Sequence, residues 1–520
     1  MATRLAGSWI GYQARVRPDH VALADLATGR RLRYGELDDR IGRLAGALAR
    51  RYGVARGDRV AMLSRNCAQA FELMYACGRI GAIFVPLNVR LSDSELAALT
   101  ADAAPGLLAG EADLLSRDVA AGLPRLDWTG RPGPGRAGET AYEPAIAASE
   151  PAAPVPVEAD DPWVIIYTSG TTGRPKGVLV THAGSEATML AGCVAGEVTP
   201  ASVCLTALPV WHVAGLNLFA NPALFMGGTV LVMQSFEAAV ALSLLTRGDE
   251  PVTHFCGVPA HYQFMEADPG FAAAALRGFV AGVGGSPVPA ALVESWARRG
   301  VALRTIYGIS EAGSTVTMTP ATKTPAAGPG QHSASGEPGD VGVPMWHLQC
   351  RVMAGDRECA GGEPGELQIS GASVTPGYWR RPAETAHAIA GGWLRTGDVA
   401  TIGPDGHVRI VDRIKDMYIS GGENVYPAEV EEVLYQHPAV SQVAVVGAPD
   451  QRWGESGVAW LVLSPGAEAG PEDIRSWARA RLAAFKVPRD VRLVDELPRN
   501  ATGKVLKAEL RRRVPADGRS

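Results

Sequence analysis

Between Tyr167 and Gly177 the chain reads YTSGTTGRPKG, a dense set of groups able to bind an anion. Gly170, Gly173 and Gly177 permit positive φ and close approach of the backbone to a ligand, while Thr168, Ser169, Thr171 and Thr172 supply hydroxyl donors. Lys176 adds a positive charge. Successive backbone N–H groups in such a turn form a concavity suited to phosphate oxygens, so the stretch is equipped to hold a polyphosphate. It is not a Walker A loop, because Gly173 is followed by Arg174, Pro175 and Lys176 and then by another glycine.

Four further stretches carry chemistry. AGVGGSP (281–287) places the bare backbone of Gly284, Gly285 and Ser286 where a strand should give way to a loop, so a flat ring can lie against it. YGISE (307–311) offers the Tyr307 ring and the Glu311 carboxylate close together, with Gly308 and Ser310 between them. WLRTGD (393–398) ends in Asp398, whose carboxylate can accept two hydrogen bonds, as a ribose diol requires, and Arg413 in DRIKD supplies a cation nearby. PVWHVAG (209–215) sets His212 beside Trp211. Taken singly, each has a plain structural explanation: a surface turn, an Asp after a Gly, a packed core histidine. Lys504, in RNATGKVLK, would by composition be a solvated charge.

Taken in order and at these separations, the stretches resemble the motifs of the adenylate-forming superfamily, which comprises acyl-CoA synthetases, adenylation domains of peptide synthetases and luciferases. The resemblance covers nearly the whole chain. One small change is Ser310, where many relatives have Thr; the hydroxyl is kept. The resemblance implies that Thr168, Ser169, Gly170, Thr171, Thr172 and Lys176 close over the β- and γ-phosphates of ATP. Gly284, Gly285, Ser286, Tyr307, Gly308 and Ser310 would enclose adenine, Asp398 would hold the ribose, Arg413 the nucleotide and Glu311 the Mg2+ ion. Catalysis would rest on Lys504, Glu311, Thr168 and His212. Trp211, His212, Cys256, Gly257 and Gly282 would surround the acyl group, the small residues leaving room for bulk. Lys415 occupies the hinge position, and Ser420, Gly421 and Gly422, in SGGENVYP, form a loop past which the thiol arm of coenzyme A would run.

The function implied is an ATP-dependent carboxylic acid:CoA ligase working through an acyl adenylate on a hydrophobic aliphatic or polycyclic acid. Two other readings use the same residues: a ligase loading a separate acyl carrier protein, to which Arg452 and Arg479 would be open, and an enzyme that only thioesterifies a supplied adenylate. A binding protein without turnover is disfavoured by the presence of Lys504, Glu311 and Thr168. Asp340 and Val343 in GDVGVP, and His407 in DGHVRI, depart from the family pattern without carrying evident chemistry.

The elements that must position these residues read as α/β. Trp163 to Tyr167 is a short, β-branched, apolar run, hence a buried strand ending at the phosphate motif. Leu37, Ile41, Leu44 and Leu48 lie on one helical face; Arg59 to Leu63 reads as a strand, Phe71, Leu73, Met74 and Cys77 as a helix, and Ala82 to Leu87 as a strand. That order implies parallel sheets. Residues Thr129 to Asp161 and Ala321 to Asp340, rich in Pro, Gly and Ala, read as exposed connections. Near the end, Pro427 starts a helix whose apolar face is Val430, Val433 and Leu434, followed by strands Val443 to Gly447 and Val458 to Leu463 and a helix Pro471 to Leu482. The expected division is a large N-terminal domain, 1–412, a hinge, 413–416, and a small mobile α+β C-terminal domain, 417–520.

Bulk properties narrow the classes. A chain of 520 residues exceeds one core, so two or more domains are expected. Lys plus Arg total 49 against 54 Asp plus Glu, and this near balance argues against nucleic acid as a partner. The apolar region Ala214 to Phe236 is interrupted by Asn217, Asn221, Pro222 and Gly227 and reads as buried strands and turns rather than a membrane span. Seven cysteines without paired spacing suggest reduced thiols in the cytoplasm and no zinc site. Oligomeric state leaves no mark in the sequence.

Overall fold

The structure, a computed structural model, describes residues 8–117, 119, 122–129, 139–168, 175–246, 251–276, 278–321, 339–450, 452–499 and 504–514. Leu37, Ile41, Leu44 and Leu48, spaced to share one helical face, are fully buried along the helix Tyr34–Arg50. The strand Arg59–Leu63, the helix Ala68–Ile80 and the strand Ile83–Leu87 then form a βαβ unit. The helix stops at Gly81, whose φ of 70° suits glycine, and the two strands pair in parallel. This unit is central to a seven-stranded sheet. Beside it runs the strand Pro162–Thr168, parallel to Ile83–Leu87 and antiparallel to Lys176–Thr181. The two ends of the phosphate motif are thus held side by side, Thr168 opposite Lys176.

A nine-stranded sheet carries the other motifs. Its centre is parallel, with His254–Gly257, Val280–Gly284 and Leu303–Tyr307 as successive neighbours. Gly257, Gly284 and Tyr307 therefore sit at the carboxyl ends of parallel strands, where open sheets bind ligands. The two large sheets share one core that includes Leu23, Val60, Phe71, Trp163, Leu216 and Val230. A six-stranded antiparallel sheet follows, ending with the strand Val408–Arg413. Beyond it a C-terminal domain closes around its own core of Val425, Val430, Leu434, Val445, Leu461 and Ile474. Its first helix, Pro427–Tyr435, begins with Pro427 as the sequence predicts. The strands Val440–Asp450 and Gly454–Leu463 are longer than expected, and the helix Pro471–Arg479 stops short of Leu482.

Three expectations are corrected. The region Ala214 to Phe236 opens with two helices, Val213–Asn217 and Ala220–Met226, before the strand Thr229–Val232. The apparent breakers fit this: Pro222 lies in a first helical turn, where its missing N–H costs nothing, and Gly227 ends the helix with φ 86°. Asn217 and Asn221 are buried yet bonded, Asn217 donating to the Gly313 carbonyl at 3.2 Å and Asn221 to Asn217 at 3.0 Å. Secondly, Thr129 to Asp161 is more than an exposed connection, since it includes the helix Tyr142–Ala147 with Tyr142 fully buried. Residues 130–138 lie outside the described residues. Thirdly, the stretch Ala321 to Asp340 does not end exposed: Asp340 is buried, and the His407 Nδ1 lies 3.0 Å from each of its carboxylate oxygens, while residues 322–338 lie outside the described residues.

Tyr142 also anchors a buried charge. Its hydroxyl donates to Glu72 Oε2 at 2.5 Å, and Arg40 Nε donates to Oε1 at 2.5 Å, while Glu72 itself is fully buried. Arg40→Ala leaves a desolvated carboxylate without its cation, and thermal or urea unfolding should register a loss of about 3 kcal/mol.

Among the described residues no helix is long and apolar enough to cross a membrane. The seven cysteines are unpaired, five of them buried.

Candidate active site

At the AGVGGSP turn, the strand Val280–Gly284 runs into Gly285, which takes φ +81°. A Cβ on Gly284 would collide with the Ile306 carbonyl, and one on Gly308 with the Ser314 carbonyl, so both positions require glycine. Ser286 is half-buried and Ser310 buried. The Tyr307 hydroxyl donates to Asp398 Oδ2 at 2.6 Å, and Arg413 Nε lies 3.1 Å from Oδ1. Motifs more than ninety residues apart in sequence thereby share one carboxylate.

Glu311 stands on a single 3-10 turn, Ser310–Ala312, held by several groups at once. Its carbonyl accepts from Thr375 N at 2.7 Å, and its Oε1 accepts from the Tyr378 hydroxyl at 3.0 Å. Ser373 Oγ donates to the Ala312 carbonyl at 2.9 Å, and Asn217 secures Gly313. The Tyr378 ring lies 5.1 Å from Lys176 Nζ, a cation–π contact that ties the phosphate motif to Glu311. Asp102 braces the same region, accepting from the Tyr167 hydroxyl at 2.7 Å and from Arg381 at 2.5 Å. Sequence reasoning passed over Thr375, Tyr378 and Asp102. The run GYWRRP, two aromatics and two arginines after a glycine, was the available signal.

His212 caps the helix Val213–Asn217, its Nδ1 accepting from Ala214 N at 3.1 Å. Desolvation, reinforced by the Lys504 charge, lowers its pKa to about 4, so the ring is neutral at physiological pH. The loop it sits on is fixed by Asn66, another residue missed from sequence: its side chain accepts from Val210 N at 2.9 Å and donates to the Leu208 and Met233 carbonyls at 2.9 and 3.1 Å. Trp211 is buried beside it. Cys256 and Gly282 are cross-strand neighbours, and burial pushes the Cys256 thiol up to about 12, leaving it inert. The room expected at the glycines is occupied. A Cβ on Gly282 would lie 2.9 Å from Ile306 Cδ1 and 3.0 Å from Cys256 Sγ, and one on Gly257 3.1 Å from His261 Cβ. These glycines admit neighbouring side chains and do not widen a pocket.

Lys504 belongs to the C-terminal domain yet lies within charge range of Arg413, Asp398 and His212. Desolvation and then the Arg413 charge lower its pKa to about 7, against the opposing pull of Asp398. It therefore stands close to the Asp398–Arg413 pair while its charge reaches His212. Lys415 is exposed on the turn between the domains. Next to it, Asp412 accepts from Arg413 N at 2.7 Å and from Ala428 N at 2.9 Å, tying the end of one domain to the first helix of the other. Ser420, Gly421 and Gly422 form a tight turn, the glycines at φ 62° and 89°, with Gly421 N bonded to the Trp453 carbonyl at 2.8 Å. This turn stays within the C-terminal domain. Ser169, Gly170, Thr171 and Thr172 lie outside the described residues, while Thr168 and Lys176 are half-buried at the ends of the motif.

A Mg2+ ion needs only one or two protein carboxylates when phosphates supply the rest. Among the described residues no cluster of three His, Cys, Asp or Glu is arranged around a metal. Glu311, oriented by Tyr378, fits that sparse requirement.

Two large sheets that share one core, followed by a C-terminal domain with a core of its own, define the class: a two-domain adenylate-forming enzyme. Residues 11–379 match the family model of the AMP-binding enzymes and residues 429–504 that of the AMP-binding enzyme C-terminal domain, and the chain belongs to this family. It is 39% identical to a feruloyl-CoA synthase of Amycolatopsis sp, over 98% of each chain. It is 35% identical to the fatty acid–[acyl-carrier-protein] ligase ScoC of Streptomyces coeruleorubidus, over 95% of this chain and 94% of that one. The crystal structure of ATP-bound MatB from Rhodopseudomonas palustris matches with a TM-score of 0.86 at 30% identity, covering 99% of this chain and 100% of that one.

Proposed function

We propose that this chain is an ATP-dependent carboxylate:CoA ligase whose acid is hydrophobic and of aromatic or fatty type. As a member of the AMP-binding family it is an acid–thiol ligase that works through an acyl adenylate. The residue-level reading is supported by the charge interactions of Lys504 with Arg413, Asp398 and His212. A carboxylate nearing the α-phosphate meets a repulsion of about 4 kcal/mol per unit pair at about 4 Å with an effective dielectric near 20. A lysine between the two anions offsets that repulsion and stabilises the transition state. Mg2+ held by Glu311 and phosphate oxygens would supply further charge neutralisation. Asp398 and Tyr307 orient the nucleoside, and neutral His212 walls the acyl group without competing for its charge. The product is an acyl adenylate, with pyrophosphate leaving.

For the second half-reaction the C-terminal domain, residues 417–520, would turn about 413–416, withdraw Lys504 and bring the Ser420–Gly422 turn to the thiol arm of coenzyme A. Substrate chemistry is supported by the apolar surroundings of Trp211, Cys256 and Ile306 and by similarity to the feruloyl-CoA synthase. A cytoplasmic setting accords with seven unpaired thiols. The similarity to ScoC favours acyl carrier protein as a second acceptor. Arg452 and Arg479 support that acceptor weakly, as Arg452 stacks 4.7 Å over Trp453 and Arg479 pairs with Glu472.

Pyrophosphate release with ATP and Mg2+, measured across fatty, hydroxycinnamic, benzoic and polycyclic acids with and without CoA, tests this directly. Release that depends on a hydrophobic acid, with thioester appearing when CoA is added, is expected. Thioester only from a synthetic acyl adenylate, with no acid-dependent release, would replace the proposal by the half-reaction alternative. Preference for purified carrier protein over CoA would reassign the acceptor.

A further inference from the structure

We propose that Glu432 and Tyr435 of the C-terminal domain, with Gln263 and the N-terminus of the helix Ala290–Arg298 in the large domain, form a latch that holds Lys504 in the adenylating position. Resting on the ligase reading above, this makes Glu432, Tyr435 and Gln263 positioning residues for the first half-reaction.

The helix Ala290–Arg298 starts without a cap of its own. Its N-cap residue is Pro289, whose side chain has no acceptor, while the first N–H groups of any helix need one. A candidate acceptor comes from the other domain: the Glu432 carboxylate faces the backbone N–H of Ala290, with the Gln436 side chain beside it. A carboxylate at a helix N-terminus also complements the macrodipole. Three residues on, the Tyr435 hydroxyl receives Gln263 Nε2, from the helix Pro259–Glu266. Positions three apart share one helical face, so both contacts fall on the same side of Pro427–Tyr435.

The opposite side of that helix is buried in the C-terminal domain's core through Val430 and Leu434. The helix cannot shift without the domain, so a grip on its outer face is a grip on the whole domain. Arg499 lies beside the same helix: it donates to Gln442 Oε1 at 2.9 Å and faces Tyr435. Any turn about 413–416 must break the Glu432 and Tyr435 contacts, because their partners belong to the large domain.

The seam is built to let go. Glu266 faces Tyr435 and Arg298, the exposed Glu294 faces Glu432, and desolvation raises the pKa of both Glu266 and Glu432. Desolvating these two half-buried carboxylates opposes what the hydrogen bonds contribute. Two orientations of near-equal free energy are what an alternating enzyme requires.

The test uses the full chain with Glu432→Ala and, from the other side of the seam, Gln263→Ala. Acid-dependent ATP–pyrophosphate exchange reads adenylation, and CoA thioester formed from synthetic acyl adenylate reads the second step. In both variants adenylation should fall on the order of tenfold while thioester formation is unchanged or faster, the signature of a shifted two-state balance. Glu432→Gln, which keeps an acceptor for Ala290, should recover most of the adenylation rate. Equal loss in both half-reactions for the two Ala variants, or undiminished adenylation, would overturn the latch. Failure of the ligase reading itself is separate, because it would show in the wild-type enzyme as absence of exchange with every acid.

Discussion

Lys504→Ala should lose at least about a hundredfold in the rate of adenylation, the range seen when a group stabilising developing charge is removed. Thioester formation from a supplied acyl adenylate should survive, because the proposed domain turn withdraws this lysine before the thiol attacks. The electrostatics of the site add a pH signature. Desolvation and the Arg413 charge bring the free enzyme's Lys504 to about 7, so the ammonium is present below that pH and lost as pH rises through it. kcat/KM for adenylation, which reports the free enzyme, should therefore decline with one limb above about pH 7. In kcat the limb should move to higher pH, since bound phosphates favour the charged form. Lys504→Ala should show neither limb. Adenylation at the wild-type rate in the variant, or a wild-type kcat/KM flat from pH 6 to 9, would remove the role given to this side chain.

Glu311→Gln carries the second large effect. The amide is the same shape and its oxygen still accepts from Tyr378, so the turn held by Thr375, Ser373 and Asn217 should keep its structure and the unfolding temperature should be unmoved. What is lost is the negative charge toward a hard divalent cation. Adenylation should drop about a hundredfold at fixed Mg2+, with partial recovery as Mg2+ is raised. Measuring initial rate against Mg2+ at saturating ATP separates this from simple damage. A variant with the wild-type Mg2+ dependence would show that the ion is held elsewhere.

Much of the architecture was legible from neighbours along the chain. The burial of Leu37, Ile41, Leu44 and Leu48, the parallel pair Arg59–Leu63 and Ile83–Leu87, and the helix begun by Pro427 follow from periodicity and from what proline tolerates. The same local logic failed between Ala214 and Phe236. There Asn and Pro look like breakers, and only contact with Gly313 and a place in a first turn make them compatible with helices. It failed also at Tyr142, whose burial depends on a partner, Glu72, seventy residues earlier.

By itself the sequence determined which groups were present for chemistry: the phosphate motif, Tyr307 with Glu311, Asp398, Arg413 and Lys504, each carried by a short run whose composition survives without its surroundings. Their meeting was decided only by the tertiary structure. Tyr307 and Asp398 share a hydrogen bond across two sheets, Tyr378 joins Lys176 to Glu311, and Lys504 is desolvated within charge range of Arg413 and Asp398 in the large domain. The same packing filled the space at Gly257 and Gly282 that small residues seemed to leave open. The physical reason is range. Periodicity, caps and turns act within a few residues of one another, whereas hydrogen-bond partners, desolvation and pocket volume depend on which distant segments the cores bring together.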